Sequence, residues 1–418
     1  MIVPPFRTTA LLLAAALFCC HLEQPGLLNA GQAVPRVPAA NLIQQGGYVL
    51  ADNDRIVSAE NSDTPFVPAS TLKLITSLAA LDILGPDYRF PTRFFSDVQE
   101  NLYIQGSGDP FLLTENIIVI AKKLRESGIR RINNLILDDT AFAIPTQADG
   151  NENTTNPYDA WNSALAVNFN SIAIHVGQDR AIAPDDPKVP PLPLMRTLGA
   201  ALPPAHYLIN VNAYPADGYL SNTLRYTGEL FEGLLAKQQI PMHGKILTGK
   251  APANAHPVLT YWSEKTVRDM LRLCLKYSNN FVANQLFLTC GTARFGTPAT
   301  WDKGRSAMRD YIQGTLGLPE SEITIVEGSG LSRQNRITPM AMLTALREFA
   351  PYMELLPVKH GVPLKSGTLT GVYCYAGYIP QQHDAPFVIL LNQPRNNRNE
   401  LLDILMNQQD KKIMTVKK

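Results

Sequence analysis

The chain has 418 residues, which is more than one domain usually contains and predicts two or more domains. Hydrophobic residues make up 45% of it, enough for packed cores, and the 32 prolines indicate many loops. The net charge of +1 gives no electrostatic reason to expect nucleic acid as a partner.

The N-terminus has the pattern of an export signal. Arg7 precedes an apolar run, residues 10–20, that is too short to span a bilayer comfortably. We expect cleavage after Ala30 or Ala33, with an uncleaved anchor as the open alternative. Residues 1–33 are therefore interpreted as a signal peptide or anchor, and the predicted location is the periplasm. Phe18 and Cys19 stand where a lipoprotein signal needs small residues before Cys20, which disfavours lipidation.

A hairpin and then a helix with a candidate nucleophile are the next predicted elements. Residues 47–55 and 56–59 read as paired strands. Ser70 and Lys73 follow in the pattern S-x-x-K, and the apolar stripe after them predicts a helix that ends near Gly85. Residues three apart on a helix share a face, so the hydroxyl and the amine are expected to meet. Ser70 would lie in the first turn of this helix, where the dipole favours negative charge.

Lys73 has to be neutral if it is to accept the serine proton. Lowering a lysine pKa from ~10.4 toward ~7 costs about 4 kcal/mol, which burial and a neighbouring cation can supply. A serine hydroxyl is a poor nucleophile until a base removes its proton. S-x-x-K also occurs by chance in chains of this length, so its interpretation depends on the residues downstream.

The long segment that follows predicts a mixed α+β insertion. Strand patterns alternate with helix patterns at 114–127 and 228–238. Thr114 is the expected N-cap of the first of these helices, and Gly128 is its expected end. The strand patterns fall at 89–95, 102–105, 131–137, 166–176 and 206–213.

Two polar turns inside the insertion are interpreted as structural. Residues 106–110, Gly-Ser-Gly-Asp-Pro, lack the remaining features of a phosphate-binding loop. Asp138 and Asp139 raise the alternative of a metal site, but no third ligand stands near them in the sequence. A solvated turn is the preferred interpretation of this pair.

The last third of the chain carries two more polar motifs. Ser278 and Asn280 form S-x-N between predicted helices at 266–276 and 281–288, where Ser278 or Asn279 is alternatively a plain N-cap. Lys365, Ser366 and Gly367 form K-S-G in a predicted hairpin. The other elements predicted here are a glycine-rich loop at 327–333, a helix opened by Thr338 and Pro339, a strand at 387–391 and a helix at 400–406.

Cysteine and histidine usage predicts neither a disulfide framework nor a metal site. Cys274, Cys290 and Cys374 follow the predicted signal without a C-x-x-C, and we expect them to be buried apolar residues. The histidines are scattered, without H-E-x-x-H, which disfavours a zinc peptidase. No metal and no cofactor are expected.

Three motifs in a fixed order, S-x-x-K, S-x-N and K-S-G, are far more specific than any one of them. The chain resembles the penicillin-recognising serine peptidases. More closely, it is similar to the class C low-molecular-mass penicillin-binding proteins, the D-alanyl-D-alanine carboxypeptidases/endopeptidases. That group carries its insertion between the first two motifs and has G-S-G-L-S-R before the third, as residues 328–333 do here. Residues 365–372, K-S-G-T-L-T-G-V, match its third motif, with Ser366 in place of the commoner threonine.

The resemblance implies an α/β (α+β) fold: a β-lactamase/transpeptidase-like domain whose antiparallel sheet is flanked by helices. Residues 34–88 and 258–418 would form this discontinuous peptidase domain. Residues 89–257 would form the large inserted α+β domain.

The resemblance also implies a role for each motif residue. Ser70 would attack the carbonyl of the penultimate D-alanine, and Lys73 would take its proton. Ser278 would relay a proton to the leaving amine, and Asn280 would position Lys73 and the substrate amide. Lys365 would be catalytic as well, because its positive charge would help to keep Lys73 neutral. Four residues would bind the substrate: Ser366, Gly367, Thr368 and Arg333.

Their implied contacts differ. Lys365 and Ser366 would attract the terminal carboxylate, and Gly367 would let the peptide lie along the strand as an added β-strand. The backbone N–H groups of Ser70 and Thr368 would form an oxyanion hole, worth ~3–4 kcal/mol per donor. Arg333 is interpreted either as a substrate contact or as a surface arginine.

The leading hypothesis is a periplasmic serine D-Ala-D-Ala carboxypeptidase acting on peptidoglycan stem peptides, with endopeptidase activity left open and β-lactam antibiotics as covalent inhibitors. The alternatives are a serine β-lactamase and a catalytically silent wall-binding relative. Loose membrane association through the N-terminus and the oligomeric state are left open by the sequence.

Overall fold

The computed structural model describes residues 39–216, 218–380 and 384–416, and of residues 408–416 the backbone alone. The predicted signal or anchor at 1–33, with its cleavage sites and Cys20, lies outside the described residues. Among the described residues, no helix combines the length and the apolar character needed to cross a bilayer.

The strands are numbered in chain order. They are β1 (Gly46–Asp52), β2 (Arg55–Glu60), β3 (Pro91–Ser96), β4 (Leu102–Gln105), β5 (Leu135–Asp138), β6 (Ser171–Val176), β7 (Ile182–Pro184), β8 (Ala205–Asn210), β9 (Ile246–Thr248), β10 (His256–Trp262), β11 (Ile323–Thr324), β12 (Arg336–Ile337), β13 (Val358–Lys359), β14 (Val362–Leu369), β15 (Val372–Ile379) and β16 (Ala385–Leu391).

The α-helices are numbered in the same way. They are α1 (Lys73–Ile83), α2 (Thr114–Glu126), α3 (Pro193–Gly199), α4 (Asn222–Lys237), α5 (Val267–Tyr277), α6 (Asn280–Phe295), α7 (Trp301–Gly314), α8 (Pro339–Phe349) and α9 (Arg398–Val416). The 3-10 turn Ala69–Leu72 leads directly into α1.

The described chain divides into two compact units. The Ser70 unit contains residues 39–79, 271–278 and 305–416, and the Asn280 unit contains residues 80–270 and 279–304. The domain assignment made from the sequence, with 89–257 as an inserted region, stays a prediction beside this geometric division.

The Ser70 unit is built on an antiparallel sheet with the strand order β13-β14-β15-β16-β1-β2. The first described strand, β1, pairs with its hairpin partner β2 on one side and with β16 on the other, in the register Tyr48 opposite Ile389. The third motif lies on β14, which is paired along its length with β15.

Helices cover both faces of this sheet. Side chains alternate between the faces of a strand, so Tyr375 and Tyr378 of β15 point to opposite sides. Tyr375 shares a core with Leu401 of α9, whereas the Tyr378 hydroxyl donates to the Leu346 carbonyl of α8. All residues of β16 are buried, because a strand covered on both faces needs apolar residues throughout. The predicted antiparallel sheet flanked by helices is confirmed.

The Asn280 unit is also α+β. Its larger sheet has the order β10-β3-β4-β5-β9, antiparallel from β10 to β4 and parallel from β4 to β9, and a smaller antiparallel sheet has the order β7-β6-β8. Apolar side chains of these sheets and of α2, α3 and α4 form one core, which includes Phe94, Ile117, Leu198 and Phe231.

The predicted cap of α2 is wrong. Leu113, not Thr114, is the N-cap, and Thr114 is the first helical residue. The amides of the first turn are satisfied by asparagines: Leu113 N donates to Asn116 Oδ1 (2.9 Å), and Thr114 N donates to Asn168 Oδ1 (2.9 Å). The second of these acceptors comes from a distant segment, which a local capping pattern cannot reveal.

The solvated turn predicted at Asp138 is wrong as well, because this side chain is buried. Its Oδ1 atom accepts from the N–H and the hydroxyl of Thr140, and its Oδ2 atom accepts from Gln105 Nε2. The Asp138 carboxylate therefore fixes the turn that follows β5 through its hydrogen bonds to Thr140 and Gln105. A search of the described residues for groups of three or more His, Cys, Asp or Glu that could hold a metal ion finds none.

Candidate active site

Ser70 and Lys73 come together at the start of α1. Ser70 lies in the 3-10 turn and not in the first turn of the α-helix, which begins at Lys73. Lys73 Nζ donates to Ser70 Oγ (3.0 Å) and to the carbonyl oxygen of Ser329 (2.6 Å). The Lys73 side chain is 0% exposed. The hydroxyl and the amine are therefore close enough for direct proton transfer.

The backbone is strained at Ala69, directly before the candidate nucleophile Ser70, and at Ser278. Ala69, directly before Ser70, has φ 46°, and Ser278 of the second motif has φ 55°. Left-handed backbone costs a non-glycine residue about 1–3 kcal/mol and concentrates at functional sites. A β-carbon at Gly330 would lie 1.9 Å from the Ala69 carbonyl oxygen, so only glycine fits where this loop touches the strained turn.

Gly367 lies where β14 meets the turn that carries Ser70. A β-carbon there would lie 2.7 Å from the Pro68 carbonyl oxygen and 2.9 Å from Ser70 N. The missing side chain therefore lets β14 approach the backbone of the Ser70 turn, and the part of Gly367 in binding a peptide stays a prediction. This close packing joins the first motif to the third.

Lys365 joins the third motif to Ser278. Its Nζ atom donates to Ser278 Oγ (2.8 Å) and to the Ser366 carbonyl oxygen (2.7 Å), and its side chain is 1% exposed. Burial raises the pKa of the neighbouring Cys274 thiol to about 11, while the positive charges of Lys73 and Lys365 oppose that rise. Both lysines are thus near enough to act electrostatically on one buried thiol.

The three cysteines behave as the sequence predicts. Cys274, Cys290 and Cys374 are buried free thiols. Burial raises the pKa of Cys290 and of Cys374 to about 12, so these thiols are unreactive core residues.

Asn280 belongs to the other compact unit. It is the first residue of α6, whose N-cap Asn279 accepts from Val282 N (3.0 Å). Asn280 Nδ2 donates to the carbonyl oxygen of Tyr158 (3.3 Å) in the same unit. Its role in positioning Lys73 stays a prediction.

A buried carboxylate organises the loop after β11. Glu327 is 0% exposed, and its Oε2 atom accepts from the N–H and the hydroxyl of Ser329. Its Oε1 atom accepts from Gly330 N, Ser332 N and Asn335 Nδ2. The loop thereby directs the Ser329 carbonyl oxygen at Lys73 Nζ. No role for Glu327 was predicted within the glycine-rich loop, although its position directly before G-S-G is a usable signal.

One edge of β14 is open at the third motif. β13 pairs with β14 only through Val362 and Pro363, and no described strand pairs with that edge beyond them. Ser366 and Thr368 follow on the open part. Lys359, which belongs to none of the three motifs, donates from Nζ to Ser366 Oγ (2.9 Å). The edge therefore has backbone groups that pair with no described strand and that lie beside a positive charge, which suits an extended, anionic peptide.

Two arginines border the same hairpin. Arg333 is exposed and donates from Nη2 to the Thr370 carbonyl oxygen (2.7 Å), and whether it contacts substrate stays a prediction. Arg398, at the start of α9, donates from Nη1 to the Gly367 carbonyl oxygen (3.1 Å) and to Thr368 Oγ1 (2.7 Å). No local motif surrounds Arg398, so nothing near it in the sequence pointed to this contact.

Residues 38–205 and 210–359 match the model of the D-Ala-D-Ala carboxypeptidase 3 (S13) family. Two relatives share most of their length with this chain. A D-alanyl-D-alanine carboxypeptidase of Actinomadura sp. (strain R39) is 27% identical over 80% of this chain and 75% of the relative. D-alanyl-D-alanine carboxypeptidase DacB of Haemophilus influenzae is 25% identical over 84% of this chain and 85% of the relative.

Solved structures show the same fold. The crystal structure of penicillin binding protein 4 (dacB) from Haemophilus influenzae superposes with a TM-score of 0.74 at 21% identity, covering 90% of this chain and 99% of that one. The same protein complexed with a novel β-lactam gives a TM-score of 0.67. Bd0816, a predatory endopeptidase from Bdellovibrio bacteriovorus, gives 0.50 at 16% identity, over 89% of this chain and 92% of that one.

The family match spans well over half of the chain and includes the first two motifs. The resemblance to the class C penicillin-binding proteins, drawn from the motifs, is confirmed. The chain belongs to the D-Ala-D-Ala carboxypeptidase 3 (S13) family and is therefore a serine peptidase of the hydrolase class.

Proposed function

We propose that this peptidase removes the terminal D-alanine from peptidoglycan stem peptides through an acyl-enzyme on Ser70. The observation that carries the proposal is the 3.0 Å approach of Lys73 Nζ to Ser70 Oγ, with the Lys73 side chain fully buried. A charged ammonium is costly to bury, so this environment favours the neutral amine that a general base has to be.

Acylation begins with proton transfer from the Ser70 hydroxyl to Lys73 Nζ. The oxygen then bonds to the carbonyl carbon of the penultimate D-alanine, and the bond from that carbon to the leaving nitrogen breaks. Ser278 relays to the leaving amine the proton that Lys73 took from Ser70, so its own hydroxyl and the neutral Lys73 amine are both restored, and the hydrogen bond from Lys365 Nζ holds the Ser278 hydroxyl in place. Water then hydrolyses the ester and regenerates the Ser70 hydroxyl.

The negative charge of the tetrahedral intermediate needs preorganised donors. We assign this task to the backbone N–H groups of Ser70 and Thr368. The close packing of Gly367 on Ser70 N supports the assignment, because Thr368 follows Gly367 directly on β14. The two donors come from different elements, and the glycine lets those elements approach.

The substrate peptide would lie along the open edge of β14. Its terminal carboxylate would meet Ser366 Oγ, with Lys365 and Lys359 supplying positive charge nearby. Asn280 would bind the substrate amide and orient Lys73, and Arg333 would contact a more distant part of the stem peptide. Residues 34–88 and 258–418 would form the peptidase domain, with 89–257 as an accessory insertion.

The names of the relatives support the substrate class. Two are D-alanyl-D-alanine carboxypeptidases, and a structural neighbour binds a β-lactam, so we propose stem peptides as substrates and β-lactams as covalent inhibitors. Bd0816 is an endopeptidase, which supports testing cross-linked peptides as well. Peptidoglycan lies outside the inner membrane, and this location agrees with the export signal predicted at residues 1–33.

Mass spectrometry of the penicillin adduct tests the proposal most directly. Fluorescent penicillin should label the protein, with the adduct on Ser70, and a pentapeptide ending in D-Ala-D-Ala should lose one D-alanine. Ser70→Ala should abolish both reactions, whereas Ser306→Ala, in α7 of the same unit, should leave them intact. Labelling that survives Ser70→Ala would disprove the nucleophile. Rapid multiple turnover of a chromogenic cephalosporin would favour a β-lactamase instead.

A further inference from the structure

The peptide unit between Gly367 and Thr368 has two ends with different partners. A trans peptide is planar, and its C=O and N–H groups point in opposite directions. The N–H end belongs to Thr368 and is the oxyanion donor of the proposed mechanism. The carbonyl end belongs to Gly367 and accepts a hydrogen bond from Arg398 Nη1 (3.1 Å). The planar Gly367–Thr368 peptide therefore lies between Arg398 and the substrate carbonyl that would bind in the oxyanion hole.

The Arg398 guanidinium is held firmly against β14 and β15. Its central carbon lies 4.6 Å from the centroid of the Tyr375 ring, in the range of a cation–π contact. Nη1 also donates to Thr368 Oγ1 (2.7 Å), so the carbonyl and the side chain of consecutive residues share one donor group. The Tyr375 hydroxyl donates in turn to Asn399 Oδ1 (2.8 Å), which ties the ring to the start of α9.

The position of Arg398 is partly buried, which strengthens its electrostatic effect. Its Nε atom is fully buried and finds no hydrogen-bond partner among the described residues. The neighbouring Cys374 responds to the charge: burial raises the pKa of its thiol, and Arg398 opposes that rise. A cation in such surroundings acts on nearby dipoles with little screening from water.

We propose that Arg398 is a positioning residue for the oxyanion hole, acting through the Gly367–Thr368 peptide. The inference rests on the proposed function, which makes Thr368 N–H an oxyanion donor. A positive charge at the carbonyl oxygen draws electron density along the amide and makes its N–H a stronger donor. The contact to Thr368 Oγ1 fixes the plane, so that the N–H keeps its direction during acylation.

The test compares Arg398→Met with Arg395→Met, which removes the same charge from an exposed position just before α9. Each protein is acylated with penicillin carrying ¹³C at the β-lactam carbonyl, and the ester band of the acyl-enzyme is measured by infrared difference spectroscopy. We expect Arg398→Met to move the band to higher frequency and to slow acylation about tenfold. Arg395→Met should change neither quantity.

Arg398→Lys keeps the positive charge and separates this role from a merely structural one. We expect its band and acylation rate to lie between those of the unmodified protein and Arg398→Met. The thermal midpoints of all variants are measured, and kinetics are compared where each is fully folded. If Arg398→Met is too unstable to study, an unshifted band in Arg398→Lys overturns the inference.

The result also separates this inference from the proposed function. If penicillin does not acylate Ser70 in the unmodified protein, the proposed function fails first. If acylation proceeds normally and Arg398→Met keeps the original band and rate, only the role of Arg398 is overturned.

Discussion

Two segments of the molecule bury polar side chains to hold an irregular backbone, and they do so with different chemistry. In the Ser70 unit, the loop after β11 is arranged around the carboxylate of Glu327, which only accepts hydrogen bonds. In the Asn280 unit, residues 168–170 all have positive φ, and the amides of Asn168 and Asn170 hold them. An amide both donates and accepts.

The difference matches what each segment does. Asn168 donates from Nδ2 to the Tyr226 hydroxyl and accepts from Thr114 N, so it links neutral groups of two helices. Glu327 gathers five donors on one anion and thereby turns the Ser329 carbonyl toward Lys73. The first arrangement stabilises a fold, whereas the second also directs a carbonyl group at Lys73, the proposed general base. Substitutions in the two segments should therefore separate stability from activity.

Glu327→Gln should have the largest effect. The glutamine amide presents N–H groups to donors that need an acceptor, so the loop should rearrange and release the Ser329 carbonyl from Lys73. We expect the acylation rate to fall about a hundredfold, the scale of a mispositioned general base. Stopped-flow measurement with fluorescent penicillin gives this rate.

Glu320→Gln is the matched control for Glu327. Glu320 is exposed and pairs with Arg309 at the surface (3.1 Å), so its replacement should leave acylation unchanged. If Glu327→Gln acylates at the normal rate, the loop affects only stability, and the proposed difference between the two segments is wrong.

Asp109→Asn extends the comparison to a buried carboxyl group that, unlike Glu327, accepts few hydrogen bonds. Its Oδ1 accepts from Phe111 N (2.8 Å), while Oδ2 is buried with no partner among the described residues. Burial raises the pKa of Asp109 from 3.8 to about 7, against the opposing hydrogen bond from Phe111. The folded state therefore holds a proton that the unfolded state has already released.

This difference sets the sign of the pH effect. Between about pH 4 and 7 the free energy of unfolding should fall as pH rises, by up to about 4 kcal/mol. Asp109→Asn should remove this decline, so it should be more stable than the unmodified protein at pH 8 and similar at pH 4. Denaturant titrations at both values measure this. Asp87→Asn is the control, because Asp87 is exposed, and its free energy of unfolding should still fall between pH 4 and 7. If the free energy of unfolding of Asp109→Asn falls in the same way, the prediction is wrong.

Asn168→Ala tests the neutral half of the comparison. It leaves the Thr114 amide and the Tyr226 hydroxyl short of partners inside the core, which should cost about 2–4 kcal/mol of unfolding free energy. Asn153→Ala is its control, because Asn153 also has a left-handed backbone (φ 56°) but is exposed. Penicillin acylation per folded molecule should be unchanged in both. A loss of activity without a loss of stability in Asn168→Ala would reverse the interpretation.

Helix caps should give the smallest effects and should be equal in the two units. Ser221 caps α4 by accepting from Leu224 N, and Thr338 caps α8 by accepting from Ala341 N. Replacing either by alanine should cost about 1 kcal/mol. Thermal unfolding of the two variants checks this, and a far larger loss at Thr338 would show that α8 depends on more than its cap.

The sequence was most informative where local chemistry and spacing coincide. S-x-x-K predicted the meeting of Ser70 and Lys73, because a helix fixes the distance between residues three apart. The α+β class and the hairpin of the third motif followed from periodicity. Contacts between residues far apart in the sequence could not be predicted from local patterns. Examples are the hydrogen bond from Thr114 N to Asn168 Oδ1 and the one from Arg398 Nη1 to the Gly367 carbonyl oxygen. The helices α3 and α7 were also missed.

The order of strands in the Ser70 unit has a consequence for how the protein is made. β1 is translated early, yet one of its two neighbours is β16, whose residues come more than three hundred positions later. Every residue up to β16 must therefore be synthesised before this sheet can close. A chain that stops short of β14 to β16 carries Ser70 without the strands that hold its turn and the third motif, so the proposed active site can form only after these strands are made.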